Sequence, residues 1–227
     1  MSAPPRQLTL DWPHDPSYAR EDFLEAAGNA DALRAILAWP NWASPTLMLV
    51  GPSGSGKSHL GAIWAHAAAA RRVTGATLSR APLVELADAK ALLIDDADRI
   101  GADEAALFHL LNLTRESGAS VLLTARAPAD HWGLKTADLV SRLRLAPVVT
   151  LGAPDLDLTK AVLFKLFSDR QLAVEPSLVA FLALRIERSL GAARAIVAAL
   201  DREALARGKP VTRAMAAELL RDESPSD

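Results

Sequence analysis

Eight consecutive residues, Gly51-Pro52-Ser53-Gly54-Ser55-Gly56-Lys57-Ser58, constrain this chain more than any other stretch. They satisfy the pattern G-x-x-x-x-G-K-[ST] at every fixed position. An apolar run, Thr46–Val50, precedes them, and a helix-patterned run follows from His59. That strand–loop–helix context gives the pattern its physical meaning. Glycines let backbone N–H groups turn inward around phosphate oxygens, and the helix N-terminus adds partial positive charge. On this reading Pro52, Ser53, Gly54, Ser55 and Gly56 form the cradle. Lys57 reaches toward the β- and γ-phosphates, and Ser58 offers its hydroxyl to Mg²⁺.

Such a loop needs an α/β frame, and the chain is patterned as one. Four short apolar runs read as buried strands: Thr46–Val50, Ala91–Ile94, Val121–Thr124 and Pro147–Leu151, with a weaker one at Val73–Leu78. Helical stretches at His59–Arg71, Asp103–Ser117 and Asp138–Leu145 separate most of them. Apolar strands alternating with helices indicate parallel βαβ units, helices on both faces and right-handed crossovers. Upstream, Phe23, Leu24, Leu33, Ile36 and Leu37 recur partly at helical spacing, with a helix start at Asn29-Ala30-Asp31. After Gly152-Ala153-Pro154-Asp155 the pattern changes to helices at Leu158–Ser168, Pro176–Arg188, Gly191–Ala206 and Thr212–Leu220. Gly208-Lys209-Pro210 is a stop signal and Thr212 an N-cap. The expected organisation is an extended tail over 1–16, an α/β domain over 17–152, a helical domain over 153–221 and a polar tail over 222–227.

Composition narrows the function classes. The chain has 227 residues, 50% of them hydrophobic, enough for a sizeable core. The 0 Cys remove disulfides, thiolate metal sites and thiol catalysis, and fit a cytoplasmic protein. A net charge of -2 disfavours nucleic-acid binding by the whole surface. No apolar run approaches the roughly 18–20 residues of a membrane span, and the N-terminus lacks a signal-peptide core.

Further candidates follow from the frame. Leu92-Leu93-Ile94-Asp95-Asp96 delivers two carboxylates at a strand's C-terminal end, where ligands bind in open α/β sheets. Asp95 would help hold Mg²⁺, and Asp96 could orient or deprotonate an attacking water. The plainer reading is an Asp-rich turn that also contains Asp98. Thr124, at the end of another strand, could bond a phosphate or the lytic water, or be simply a β-former. Arg142, Arg144 and Arg194 read as surface arginines unless they meet a transferring phosphoryl group, in cis or from a neighbouring subunit.

From about Pro16 to Arg221 the pattern resembles the AAA+ ATPases, and within them the DnaA initiator clade. Gly56-Lys57-Ser58-His59-Leu60 is similar to that clade's phosphate loop, His59 included. Leu93-Ile94-Asp95-Asp96-Ala97 is similar to its Walker B strand, and Leu123-Thr124-Ala125-Arg126-Ala127-Pro128 to its sensor 1 stretch. Leu139-Val140-Ser141-Arg142-Leu143 is similar to the arginine-finger box, and Leu151-Gly152-Ala153-Pro154-Asp155 to the hinge into the lid. Arg194 falls where the sensor 2 arginine sits. The resemblance implies a P-loop core with a five-stranded parallel sheet, followed by a small all-α lid. Two departures stand out. After Leu220 only a few polar residues follow, so the initiators' helix-turn-helix is expected to be absent. Leu78 to Ala91 has room for one short helix where the initiators insert a longer segment that touches DNA.

Gln7-Leu8-Thr9-Leu10-Asp11-Trp12 resembles a bacterial sliding-clamp-binding peptide, with Gln7 for a polar sub-site and Leu8, Leu10 and Trp12 for a hydrophobic groove. A staple packing on the chain's own core is the alternative. Together these features resemble the Hda family, DnaA-homologous proteins that inactivate the replication initiator. That resemblance implies ADP or ATP with Mg²⁺, held by residues 52–59 with Ser58 and Asp95 at the metal. It implies the initiator DnaA and the DNA polymerase III β sliding clamp as partners, with DNA reached indirectly through the clamp. Arg142 would be supplied in trans to initiator-bound ATP, with Arg144 the alternative. Asp96, Thr124 and Arg194 complete the catalytic set, and hydrolysis by the chain itself is left open, as is homo-oligomerisation. A cytoplasmic, replisome-associated location is expected, with no membrane. A helicase-loader or transposition-helper ATPase is the main alternative. A small-molecule P-loop kinase and a nucleotide-gated adaptor are the others.

Overall fold

The computed structural model describes residues 18–101 and 103–222. The peptide Gln7, Leu8, Leu10 and Trp12 lies outside the described residues, as does the polar tail beyond Asp222. The chain divides into two compact units, one ending at Ala153 and one beginning at Pro154.

The first unit is a five-stranded sheet of β1 (Thr46–Val50), β2 (Arg71–Thr74), β3 (Ala91–Asp95), β4 (Ser120–Ala125) and β5 (Val148–Thr150). Every pairing is parallel and the order is β2-β3-β4-β1-β5. Alternation along the strands sorts side chains onto two faces. Met48 and Val50 face one core with Leu92, Ile94, Val121 and Leu123. Leu47 and Leu49 face the other with Leu93 and Leu122. Helices α3 (Leu83–Ala87), α4 (Glu104–Ser117) and α5 (Ala137–Arg144) cover the first face through Leu86, Leu107, Leu110 and Leu139. Helices α1 (Ala30–Leu37) and α2 (Lys57–Ala67) cover the second through Leu33, Ile36, Leu60 and Trp64. Burial on both faces explains why the central strands are continuously apolar. Trp64 is buried and stacks on Trp42, with ring centroids 5.2 Å apart. Each fully buried Leu or Ile contributes about 1.5–3 kcal/mol of transfer free energy.

The second unit is all helical: α6 (Leu156–Asp169), α7 (Pro176–Ala183), α8 (Leu190–Arg207) and α9 (Arg213–Asp222). The caps are local. Asp155 accepts the Leu158 amide at 2.7 Å, Ser189 that of Ala192 at 3.0 Å, and Thr212 that of Met215 at 3.2 Å. Gly208 closes α8 in the left-handed region. Its core gathers Leu163, Phe167, Leu182, Val197, Leu200 and Met215. Among the described residues no helix is long and apolar enough to cross a membrane.

Several elements differ from expectation, and α2 ends at Ala67 where helix is expected to run to Arg71. The weak strand at Val73–Leu78 is displaced to Arg71–Thr74, and residues 75–80 form a 3-10 turn. Thr74 and Thr77 hydroxyls bond at 2.8 Å across that turn, which carries Leu78 into the core. The helix expected to reach Arg188 ends at Ala183, because Ser189 is extended to cap α8. The β2–β3 connection holds only the 3-10 turn and the five-residue α3.

Candidate functional site

The register brings the carboxyl ends of three strands to one edge. Val50 pairs with Ala125, and Ile94 with Leu123, so the loop after β1, the Asp95-Asp96 step and Thr124 converge. The Gly51 amide donates to the Ala125 carbonyl at 3.1 Å. A Cβ on Gly51 would stand 2.2 Å from the Leu151 carbonyl oxygen, so this opening residue must be glycine. Gly56 has φ of 104° and caps α2, turning the chain directly into the helix. The helix therefore begins at Lys57, two residues before the expected start.

Lys57 is buried, and its Nζ donates to the carbonyls of Gly51 and Pro52, each at 2.8 Å. Burial lowers the pKa of this amine from its ordinary value of 10.5, while Asp96, Asp98 and Asp95 oppose that shift. Asp95 is the hub of the site. Its Oδ1 accepts Thr124 Oγ1 at 2.5 Å and Ser58 Oγ at 3.3 Å. The Thr124 hydroxyl in turn accepts the Asp96 amide at 2.9 Å. Asp96 is left-handed, with φ of 49°, and pairs with Arg99 at 3.8 Å. A non-glycine residue in that region is a mark of a constrained position.

The loop suits a polyphosphate on its own chemistry. Ser55 Oγ is buried without a partner, and Lys57 spends its donors on loop carbonyls. Pro52 and Ser53 are exposed, and Gly54 lies between them and the buried Ser55. Among the described residues no three His, Asp or Glu side chains gather into a metal cage. A phosphate-bound Mg²⁺ needs only one or two protein oxygens, and Ser58 with Asp95 offers them.

Other candidates stand elsewhere. His59 directly follows Ser58 on α2: a ring nitrogen meets the Ala19 carbonyl at 3.0 Å, and Tyr18 and Phe23 contact the ring edge-on. Arg142 lines a cavity with Pro45 and Thr46 at the start of β1. That is the strand end opposite the phosphate loop, about 16 Å away for a five-residue strand. Its guanidinium lies 5.3 Å from the Phe108 ring centre, and its Nη1 is buried without an acceptor. Arg144 instead pairs with Asp130 at 2.6 Å. Arg194 is on α8 of the second unit. Sequence reasoning missed the Tyr18–Phe23 collar on His59 and the Arg142–Phe108 pairing. The chain's single Tyr, just beyond Pro16, was the available signal for the collar.

A parallel sheet in this order, a glycine loop closing its inner strand β1 and a following four-helix unit define a AAA+ P-loop domain, and the chain has that fold. Within that class it is DnaA-like. It is similar to the chromosomal replication initiator protein DnaA of Thermomicrobium roseum, 30% identical over 238 residues, covering 92% of this chain and 50% of that protein. The chain thus spans about half the length of that relative. Domain III of Thermotoga maritima DnaA superposes with a TM-score of 0.79 at 23% identity, covering 93% of this chain and 98% of that domain. The FIGL-1 AAA domain, solved with ADP, gives 0.68 at 17% identity over 89% of this chain and 83% of that one. No family model matches the chain.

Proposed function

We propose that this chain is a nucleotide-bound regulator of replication initiation of the Hda kind. It would bind the sliding clamp and stimulate hydrolysis of ATP held by the initiator DnaA, supplying Arg142 in trans. The observation that carries this reading is the placement of Arg142. Among the described residues its side chain has no hydrogen-bond acceptor and no ion pair, and it lines the strand end opposite the chain's own phosphate loop. A cation so placed serves a phosphate on another molecule better than one on its own. Arg144, engaged by Asp130, is the less available of the two.

The chain's own loop would hold ADP or ATP. Backbone amides of 53–59 and the Lys57 ammonium would take the phosphates, and Ser58 and Asp95 the Mg²⁺. That ion supplies neutralisation of phosphate charge when bound. Asp96 would orient water, and Thr124 holds the Asp95 carboxylate and the Asp96 backbone amide behind it. The nucleotide then orients the fold for its partner. The similarity to initiator domains and the short β2–β3 connection support a replication role without a DNA-touching insert at that position. Clamp binding through Gln7, Leu8, Leu10 and Trp12 rests on the sequence alone, and DNA would be reached through the clamp.

The test is turnover of labelled ATP preloaded on DnaA, with and without this chain and clamp-loaded DNA. Faster turnover only when chain and clamp are both present supports the proposal, and unchanged turnover overturns it.

A further inference from the structure

One face of the α/β unit holds a cavity of about 480 Å³ remote from the phosphate loop. Pro45 and Thr46 at the start of β1, and Ala119 before β4, place it at the amino ends of the strands. Residues of α4 and α5 form its sides. The volume falls within the roughly 300–1,000 Å³ of small-molecule sites. Its apolar wall is built by Phe108, Leu111, Leu143 and Ala146. Its charged lining is Arg115, Arg142 and Asp138, two cations against one anion.

Arg142 decides the class of ligand. Its guanidinium packs 5.3 Å from the Phe108 ring centre, yet Nη1 is enclosed without an acceptor. Neither Arg142 nor Arg115 makes a side-chain hydrogen bond or ion pair among the described residues. A guanidinium carries five donors in a planar fork that matches a carboxylate. Leaving a charged donor enclosed and unpaired costs more than one cation–π contact returns. Nε and Nη2 are not enclosed in this way, and Arg142 lines the cavity, so an acceptor there meets the open side of the fork and offsets part of that cost.

We propose that this cavity binds a small apolar carboxylate, with its body against Phe108, Leu111 and Leu143 and its carboxylate on Arg142. Arg115 adds to the attraction, and Ser141 stands at the lining where a bulky side chain would obstruct entry. Occupancy would also withdraw Arg142 from a partner's phosphate. That consequence rests on the proposed function, whereas binding itself does not.

The test is a methyl-detected NMR titration of the full chain with 2-naphthoate, and with the neutral 2-naphthamide. Saturable one-to-one shifts at the methyls of Leu111, Leu143 and Ala146 are expected. The carboxylate should bind about tenfold more tightly than the amide, as a charge-assisted pair implies. Arg142→Gln should erase that preference. Ser141→Trp should block both probes with an unchanged thermal midpoint. Equal affinity of the two probes for the wild type would overturn the proposal. So would shifts centred on the helical unit or the phosphate loop, absence of saturation, or a preference that survives Arg142→Gln. Should Ser141→Trp not fold, the Arg142→Gln comparison alone decides.

Discussion

Thr124 Oγ1 donates to Asp95 Oδ1 across 2.5 Å while accepting the Asp96 amide at 2.9 Å. One hydroxyl on β4 thereby sets both acidic residues at the end of β3. The residue is fully buried, so no water can stand in for it.

Thr124→Val keeps the shape and removes the hydroxyl. The Asp96 amide is left unpaired and Asp95 loses its shortest bond, so unfolding free energy should fall by about 1–3 kcal/mol. Urea titration checks this, and a variant as stable as the wild type would show that the hydroxyl holds nothing. Mg²⁺-dependent nucleotide affinity should fall with it.

Gly51→Ala introduces a carbon 2.2 Å from the Leu151 carbonyl oxygen. Backbone on both sides cannot yield cheaply, so a loss of about 1–3 kcal/mol is expected from overpacking. A thermal midpoint equal to the wild type's would contradict the close approach of the β1 and β5 ends.

Lys57 gives the site a pH signature. Burial lowers its folded pKa below 10.5, so between that lowered value and 10.5 the unfolded chain binds more protons. Stability of the free protein should therefore gain a positive slope with pH in that window, and none from Lys57 below it. ADP affinity should run the other way, weakening as the ammonium is lost. Lys57→Ala should weaken ADP binding at neutral pH and abolish both slopes, which calorimetric titration against pH would detect. Tight ADP binding by that variant would count against the phosphate-loop role.

Much of the architecture was legible, and what escaped has identifiable causes. Thr46–Val50 reads as a strand because both faces are buried and every position is apolar or β-branched. β2 was misplaced because it is an edge strand whose Arg71, Arg72 and Thr74 are exposed, leaving no apolar run to see. The glycine loop declares itself through local backbone demands at Gly51 and Gly56. The Ser58–Asp95 and Thr124–Asp95 bonds join residues 37 and 29 positions apart, which no periodicity records. His59 shows the limit most clearly. Its place beside Ser58 suggested a ligand contact, but nothing along the chain shows that its ring meets Ala19, Tyr18 and Phe23. Arg142 over Phe108 is likewise a contact between helices, invisible along the chain.

The peptide Gln7–Trp12 carries its own prediction. Gln7→Ala with Leu8→Ala should abolish binding to the β clamp and leave ADP affinity unchanged. Equal clamp affinity of variant and wild type in a calorimetric titration would remove the peptide from the account.

Arg142 is proposed to act on a nucleotide held by another protein. The direct measurement is single-round hydrolysis of ATP preloaded on DnaA, with clamp-loaded DNA and either wild type, Arg142→Ala or Arg144→Ala. Arginine fingers contribute about 10³–10⁵ in rate elsewhere, so Arg142→Ala should lose nearly all stimulation while still binding the clamp and ADP. Arg144→Ala should retain most of it. Full stimulation by Arg142→Ala would contradict the assignment.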